Sequence, residues 1–362
     1  MQTLVVLGGT GVVGRRIARL AEERGIAERI VRVARGVKED ALNRRADLAD
    51  LGSIRAAIAG ASVVVNAVGP FTYDPAPLVA ICAASGAQYV DIAEVESFRA
   101  VVAAQAGREA LAGRPFAAVS GASTIPGLVE LLARDLARDP SAARVRAYLS
   151  VGTRNPVSTT LLASMLDPLG RPLPEEGSRA PRAFASLVRK QHGSLGARLY
   201  GRYPSGARGV EVSRLGEVLS RTLPVEQYFG CDRAVYGAAL WAAARALGPL
   251  PPGAARVMSS VARALAPLAR TFGTTTGTLL VEVVDDRGGV LQAIELVARR
   301  EGLDVPALPA VWAAAALGRG RRESHLGELV TLEDALADLV RSGVEIRRYG
   351  PGGAALGRGI DA

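Results

Sequence analysis

The chain has 362 residues, 49% of them hydrophobic and 4% aromatic, with a formal net charge of +9 and two cysteines. This is enough apolar material for a large core, and the length suggests two domains. The basic excess does not describe a nucleic-acid surface, because only Lys38 and Lys190 are lysines, the arginines are scattered, and no basic stripe is interleaved with aromatic rings.

Residues 3–7, Thr-Leu-Val-Val-Leu, form an apolar run that leads into Gly8-Gly9-Thr10-Gly11-Val12-Val13-Gly14 and then a helix-like stretch from Val12 to Arg24. A buried strand, a glycine turn and a helix start in that order describe a dinucleotide site. Gly9 permits a tight turn, Gly11 lets a pyrophosphate approach the backbone, and Gly14 lets the helix pack closely on the sheet. The phosphates would meet free N–H groups at the positive end of the helix dipole. A second strand, Arg29 to Ala34, is followed by Arg35-Gly36-Val37-Lys38, with no acid before Glu39. An NAD site expects an acid there for the ribose hydroxyl. Arg35, supported by Lys38, instead suits a 2′-phosphate, so NADP(H) is the expected cofactor.

The alternation continues. Ala46-Asp47-Leu48 ends a short extended piece, Ser53 to Ala59 reads as helix, and 61–66 reads as a fully buried strand. A helix from Pro75 to Ser85, a strand from Gln88 to Ile92, a helix from Glu96 to Leu111 and a strand from Pro115 to Val119 follow. Repeated strand-helix units imply an α/β fold with a Rossmann-type, doubly wound parallel sheet. From Arg144 to Val151 polar and apolar residues alternate, and strands at 277–285 and 290–299 flank the turn Asp286-Arg287-Gly288-Gly289. These predict a second α+β domain with a mainly antiparallel sheet. The expected division is 1–125 for the cofactor domain and 126–305 for the substrate or dimerisation domain, with 306–362 packing back on the first.

Leu169 to Arg214, rich in Gly, Pro, Ser and Arg, reads as loop or cover. Ala254 to Arg270 is apolar except for Arg256, Arg263 and Arg270, which share one helical face. With Val235 to Leu250 it could lie on a membrane surface, although arginines and prolines interrupt both pieces before a spanning length accumulates. A helix packed on its own core, a dimer contact and an acyl-substrate tunnel are the other readings of 235–270. Met1-Gln2 runs directly into the first strand without a signal-like leader, which points to the cytoplasm. Cys82 and Cys231 are too distant for a disulfide framework or metal-ligand spacing, so they read as core residues and no metal is expected.

Gly9-Thr10-Gly11-Val12-Val13-Gly14, Ala46-Asp47-Leu48, Val65-Asn66-Ala67-Val68-Gly69-Pro70-Phe71, Tyr89-Val90-Asp91 with Glu94, and Gly121 with Pro126-Gly127 together resemble the saccharopine dehydrogenase-like reductases. The resemblance covers residues 1 to about 130 and is looser over 275–348. It implies an NADP-type Rossmann domain joined to an α/β domain, with the active site in a cleft between them. It further implies that Gly9 to Val13 hold the pyrophosphate, Arg35 the adenosine phosphate, Asp47 and Leu48 the adenine, and Ala67, Val68, Gly69, Pro70 and Phe71 the nicotinamide ribose. Residues after Asn66 follow a parallel strand at its carboxyl end, where ligands bind in open sheets of this type.

For chemistry, hydride transfer needs a positioned nicotinamide and a proton donor or acceptor. Neither lysine has a tyrosine four positions earlier, which excludes the Tyr-x-x-x-Lys mechanism. Asp91, Tyr73 and Glu94 follow strands at the ligand side and are the catalytic candidates. Structural roles compete for each: Asp91 as a helix cap, Tyr73 as a shield of the cofactor, Glu94 as surface. Arg154 could clamp a substrate carboxylate and His192 could contact substrate, against a surface arginine and a satisfied histidine. Lys190 reads as a solvated charge in an arginine-rich loop. The expected function is an NADP(H)-dependent oxidoreductase reducing C=N, C=O or C=C in a small or moderately apolar metabolite, acting as a homodimer. A non-catalytic NADP(H)-binding or membrane-docking protein is the alternative.

Overall fold

The computed structural model describes residues 2–157, 159–173, 181–204, 209–212, 221–249, 257–260, 264, 271–353 and 355–358. The chain divides into two compact units, one of residues 1–131 and 303–338, the other of residues 132–302 and 339–362.

In the first unit, β1 (Thr3–Leu7), α1 (Val12–Glu23), β2 (Arg29–Ala34), β3 (Asn43–Arg45), α2 (Leu51–Ala57), β4 (Val63–Asn66), α3 (Ala76–Ala84), β5 (Gln88–Asp91), α4 (Glu96–Leu111) and β6 (Ala118–Val119) alternate along the chain. Their strands form a six-stranded sheet in the order β3-β2-β1-β4-β5-β6, and every pairing is parallel. β1 and β4 carry the uninterrupted runs Leu4–Leu7 and Val63–Val65 because helices cover both faces, and both strands are buried at every residue. On one face α2, α3 and α4 pack through Ile54, Leu78, Cys82, Phe98 and Val102.

A single π-type turn at Thr124–Leu128 leads into α5 (Val129–Leu136), within which the first unit gives way to the second. The second unit contains β7 (Arg144–Val151), α6 (Thr159–Leu166), β8 (Leu187–Gln191), β9 (Ala197–Tyr203), β10 (Val210–Val212), β11 (Arg221–Leu223), β12 (Val225–Cys231), α7 (Ala234–Leu247), β13 (Gly277–Val284) and β14 (Val290–Ala298). The chain then forms α8 (Leu308–Gly318), α9 (Leu326–Leu329) and α10 (Leu332–Arg341), followed by β15 (Val344–Tyr349) and β16 (Ala355–Arg358).

The second sheet has eight strands in the order β16-β15-β14-β13-β7-β12-β9-β8, antiparallel except for the pair β7 and β12. One face packs Leu149, Tyr203 and Phe229 against Met165 and Leu166 of α6 and Leu240 and Ala244 of α7. The other carries Tyr148, Tyr200, Leu280 and Ala293. This sheet curls. In a flat sheet β8 and β14, five strands apart, would be about 24 Å from each other. Yet His192, next to the end of β8, lies with its Nδ1 2.5 Å from Glu295 of β14.

Two expectations are corrected here. The stretch 169–214 is not simply loop, since its described residues include β8, β9 and β10, and Lys190 belongs to β8. The strands are hidden in the sequence because arginines occupy a buried face: Arg198 is 2% exposed and donates to Ser150 Oγ and Thr278 Oγ1. The end of the chain also does not return as a whole to the first unit. Residues 303–338 lie there, but β15 pairs with β14, where Ile346 faces Leu296 across the ladder. The arginine repeat Arg256, Arg263 and Arg270 lies outside the described residues. No helix among the described residues is long and apolar enough to cross a membrane.

α8 is buried along nearly its whole length and packs on β4, β5 and α1. Its approach to α1 is fixed by charge pairs. Asp304 accepts from Arg19, and Asp338 of α10 accepts from Arg24 Nε at 2.9 Å and from Trp312 Nε1 at 2.7 Å. Asp338→Ala removes the acceptor of the buried Trp312 Nε1 and one partner of the half-buried Arg24, so it is expected to lower unfolding stability by about 2 kcal/mol. Urea denaturation checks this, and a loss below about 1 kcal/mol would show the cluster to be incidental.

Candidate cofactor and active site

The carboxyl ends of β1, β2, β4 and β5 stand side by side, since Leu7 pairs with Val33 and Asn66, and Asn66 pairs with Asp91. Four loops leave this edge, at 8–14, 35–38, 67–73 and 91–94. The chain goes from β1 outward to β2 and β3 and then crosses to β4, so the first and third of these loops flank the switch point of the sheet.

The turn after β1 depends on two glycines. Gly8 has φ +74°, and its N–H and that of Gly9 both donate to Val33 O. Gly8, not Gly9, is therefore the left-handed residue of the turn. It was absent from the sequence-derived set, although its position directly after the strand could have marked it. At Gly14 a Cβ would overlap the Gly8 carbonyl. Gly11 caps α1 without a side chain, and the first turn of α1 holds no acid. Thr10 and Gly11 are exposed, while Val12 and Val13 begin the helix with half-buried side chains. The first amides of α1 are thus left for an anion.

Arg35 and Lys38 are exposed past the end of β2 and make no hydrogen bond or ion pair among the described residues. Glu39 is committed elsewhere, accepting from Arg45 N at 3.0 Å. Asp47 accepts from Ala49 N, and its own N–H donates to Ser53 Oγ at 3.1 Å, which sets the turn into α2. Leu48 is half-buried against the core.

Asn66 organises the third loop. It is fully buried, donates through Nδ2 to Tyr73 Oη at 2.8 Å and Tyr89 Oη at 2.9 Å, and accepts from Val68 N. Tyr73 in turn donates to Val68 O at 3.2 Å. The loop from Ala67 to Phe71 is thus closed on itself, with a cis peptide between Gly69 and Pro70 and with Phe71 and Tyr73 both edge-on to Phe98. Burial pushes the Tyr73 phenol up to about 12, against the Asn66 hydrogen bond, which favours the anion. In the sequence Asn66 stands within the motif and outside the candidate functional residues; a lone amide ending an all-valine strand is its signal.

Asp91 is also fully buried. Its carboxylate accepts from Ala93 N, Gly121 N and Ser120 Oγ, tying the ends of β5 and β6 together. Burial raises its pKa and these donors oppose the rise. Glu94 differs. It is exposed as a residue, has no hydrogen-bond partner among the described residues, and burial of its carboxyl end pushes it up to about 7.

Arg154 and His192 belong to the second unit. Arg154 is exposed, and its guanidinium donates to Thr271 O. His192 is fully buried between Glu295 and Tyr200, whose hydroxyl is 2.6 Å from Nε2.

Residues 4–115 match the family model described as saccharopine dehydrogenase NADP binding domain. The N-terminal domain belongs to that family. Its cofactor is NADP(H), and the residues present fit it: uncapped helix amides for a diphosphate, and for a further phosphate two cations that have no partner among the described residues. No curated protein matches the chain. Among solved structures, apo saccharopine dehydrogenase (L-Glu forming) from Saccharomyces cerevisiae is similar with a TM-score of 0.56 at 9% identity, over 96% of this chain and 99% of that one. An engineered D-amino acid dehydrogenase bound to NADP+ is similar with a TM-score of 0.46 at 15% identity, over 93% and 98%. Dihydrodipicolinate reductase from Paenisporosarcina sp. gives 0.42 at 9% identity, over 91% and 100%. At 9% identity the yeast match shows the fold, a Rossmann-type sheet with a mixed second sheet. The NADP-binding domain places this chain among dehydrogenases and reductases.

The contact between Gly14 and the Gly8 carbonyl makes a specific demand on this domain. Gly14→Ala is expected to push the start of α1 from the turn and weaken NADPH binding at least about 10-fold, as read by fluorescence titration. Unchanged affinity would show that the turn does not position the phosphates.

Proposed function

We propose that the protein is an NADPH-dependent reductase acting on a C=N, C=O or C=C bond in a small or moderately apolar metabolite, with Glu94 as the proton donor. The observation that carries this reading is Glu94 itself: of the catalytic candidates, the one carboxyl without a hydrogen-bond partner among the described residues, raised to about 7, on a loop at the ligand edge of the sheet. An acid with a pKa near the working pH is suited to proton transfer.

In this reading the turn from Gly8 to Gly14 holds the diphosphate, Arg35 and Lys38 hold the 2′-phosphate, and Asp47 and Leu48 border the adenine. Ala67, Val68, Gly69, Pro70 and Phe71 border the nicotinamide ribose. When bound, NADPH supplies the hydride. Asp91 keeps the 91–94 loop in place through Ser120 and Gly121, and so acts as a positioning residue. Tyr73 has its proton committed to Val68 O and, with Phe71 and Phe98, gives an apolar aromatic wall beside the loop. Glu94 carries a proton below about pH 7 and delivers it to the atom that gains charge as the double bond is reduced.

Two outcomes follow. Arg35→Ala removes a charge-assisted contact of about 2 kcal/mol, so NADPH should bind roughly 30-fold more weakly while NADH affinity stays unchanged. Equal losses for both would place the 2′-phosphate elsewhere. With any imine, carbonyl or enone that supports NADPH oxidation, the rate should fall as pH rises through about 7, because Glu94 loses its proton. Glu94→Gln should abolish that limb and lower kcat about 100-fold or more. A wild-type limb that persists in Glu94→Gln would assign the proton to another group.

A further inference from the structure

The second unit holds a half-open cavity of about 310 Å³ on the concave face of its curled sheet, lined by no residue of the cofactor loops. Lys190 and Glu282 line it from β8 and β13, and Leu280, Val290 and Ala293 form an apolar wall. Exposed Gln191 and Gly352 mark its rim. The volume is at the small end of ligand sites, suited to a compact metabolite.

Its polar groups are unevenly committed. Glu295 is saturated by His192, Arg347 and Tyr349, with Tyr349 Oη at 2.7 Å. Burial alone would raise Glu295, but these partners hold it below the usual carboxylate range. Lys190 and Glu282 have each other. Nζ lies 2.6 and 2.8 Å from the two carboxylate oxygens and 4.6 Å above the centre of the Tyr148 ring, and neither side chain has another hydrogen bond or ion pair among the described residues. An ammonium has three donors and a carboxylate about four lone-pair sites, so both retain capacity.

We propose that this cavity is a binding site for a small zwitterion, with its ammonium on Glu282, its carboxylate on Lys190 and a short apolar chain against Leu280 and Ala293. The charge pattern selects that class. A lone cation placed on Glu282 competes with Lys190 for its carboxylate, and a lone anion on Lys190 competes with Glu282, so each leaves a buried ion short of its counter-ion. A ligand carrying both charges exchanges one ion pair for two and keeps the cavity neutral. The Tyr148 face and the apolar wall then shield the exchanged pairs on their inner side.

Isothermal titration calorimetry on the full chain tests this with L-leucine and L-valine as probes, against isoamylamine and 4-methylpentanoate, which carry one charge each. Both amino acids should bind, and each singly charged compound at least 10-fold more weakly. The charge-neutral double variant Lys190→Met with Glu282→Gln should lose amino-acid binding at least 10-fold. An unchanged near-ultraviolet circular dichroism spectrum, which reads the tyrosines packed on that sheet, shows that the variant keeps the fold of the second unit. The proposal is overturned if neither amino acid binds the wild type, if the amine or the acid binds as well as the amino acids, or if the double variant keeps amino-acid affinity.

Discussion

The first unit depends on one close approach, the start of α1 against the carbonyl of Gly8. Any side chain at position 14 would occupy the space of that oxygen, so the helix meets the turn backbone to backbone. This brings the helix N-terminus directly over the end of β1, at the point where the strand order reverses. From it follow the uncapped amides, the lack of an acid in the first turn, and the neighbouring positions of the 35–38 and 67–73 loops. The other interactions preserve this arrangement. Asn66 ties down the loop after β4, Asp91 the one after β5, and Asp304 and Asp338 hold the C-terminal helices against α1.

The second unit is constrained differently. Its concave face buries a dense polar set, in which Lys190 pairs with Glu282, Glu295 with Arg347, and Arg198 with the hydroxyls of Ser150 and Thr278. Breaking one partner of such a pair strands the other, which makes the curl of the sheet hard to relax. The opposite face is aromatic and aliphatic and covered by α6 and α7. One face therefore supplies core and the other supplies chemistry.

The first unit was largely legible in the sequence because its signals are local. β2 and α4 occupy the residues expected of them, and the glycine turn announces itself. What escaped there is relational. That Gly8 rather than Gly9 is left-handed follows from hydrogen bonds to Val33 on a neighbouring strand. That Asp91 is saturated depends on Ser120 and Gly121, about thirty residues away in the chain. In the second unit the alternation at Arg144–Val151 and the hairpin after Val284 were readable, whereas β8 and β9 were not. Hydropathy assigns Arg198 and Lys190 to solvent, and only pairing across the curled sheet, with Thr278 and Glu282, makes their burial tolerable. His192 looked like a loop histidine for the same reason.

The central claim is that the first unit presents Arg35 and Lys38 to the 2′-phosphate of NADP(H). Phosphorus NMR of bound NADP+ tests it most directly, by following the 2′-phosphate resonance as pH is varied. Two cations beside that group favour its dianion, so its second pKa should fall at least about one unit below that of free NADP+. A bound 2′-phosphate that titrates as it does free in solution would contradict the account, because it would place the phosphate in solvent, away from both side chains.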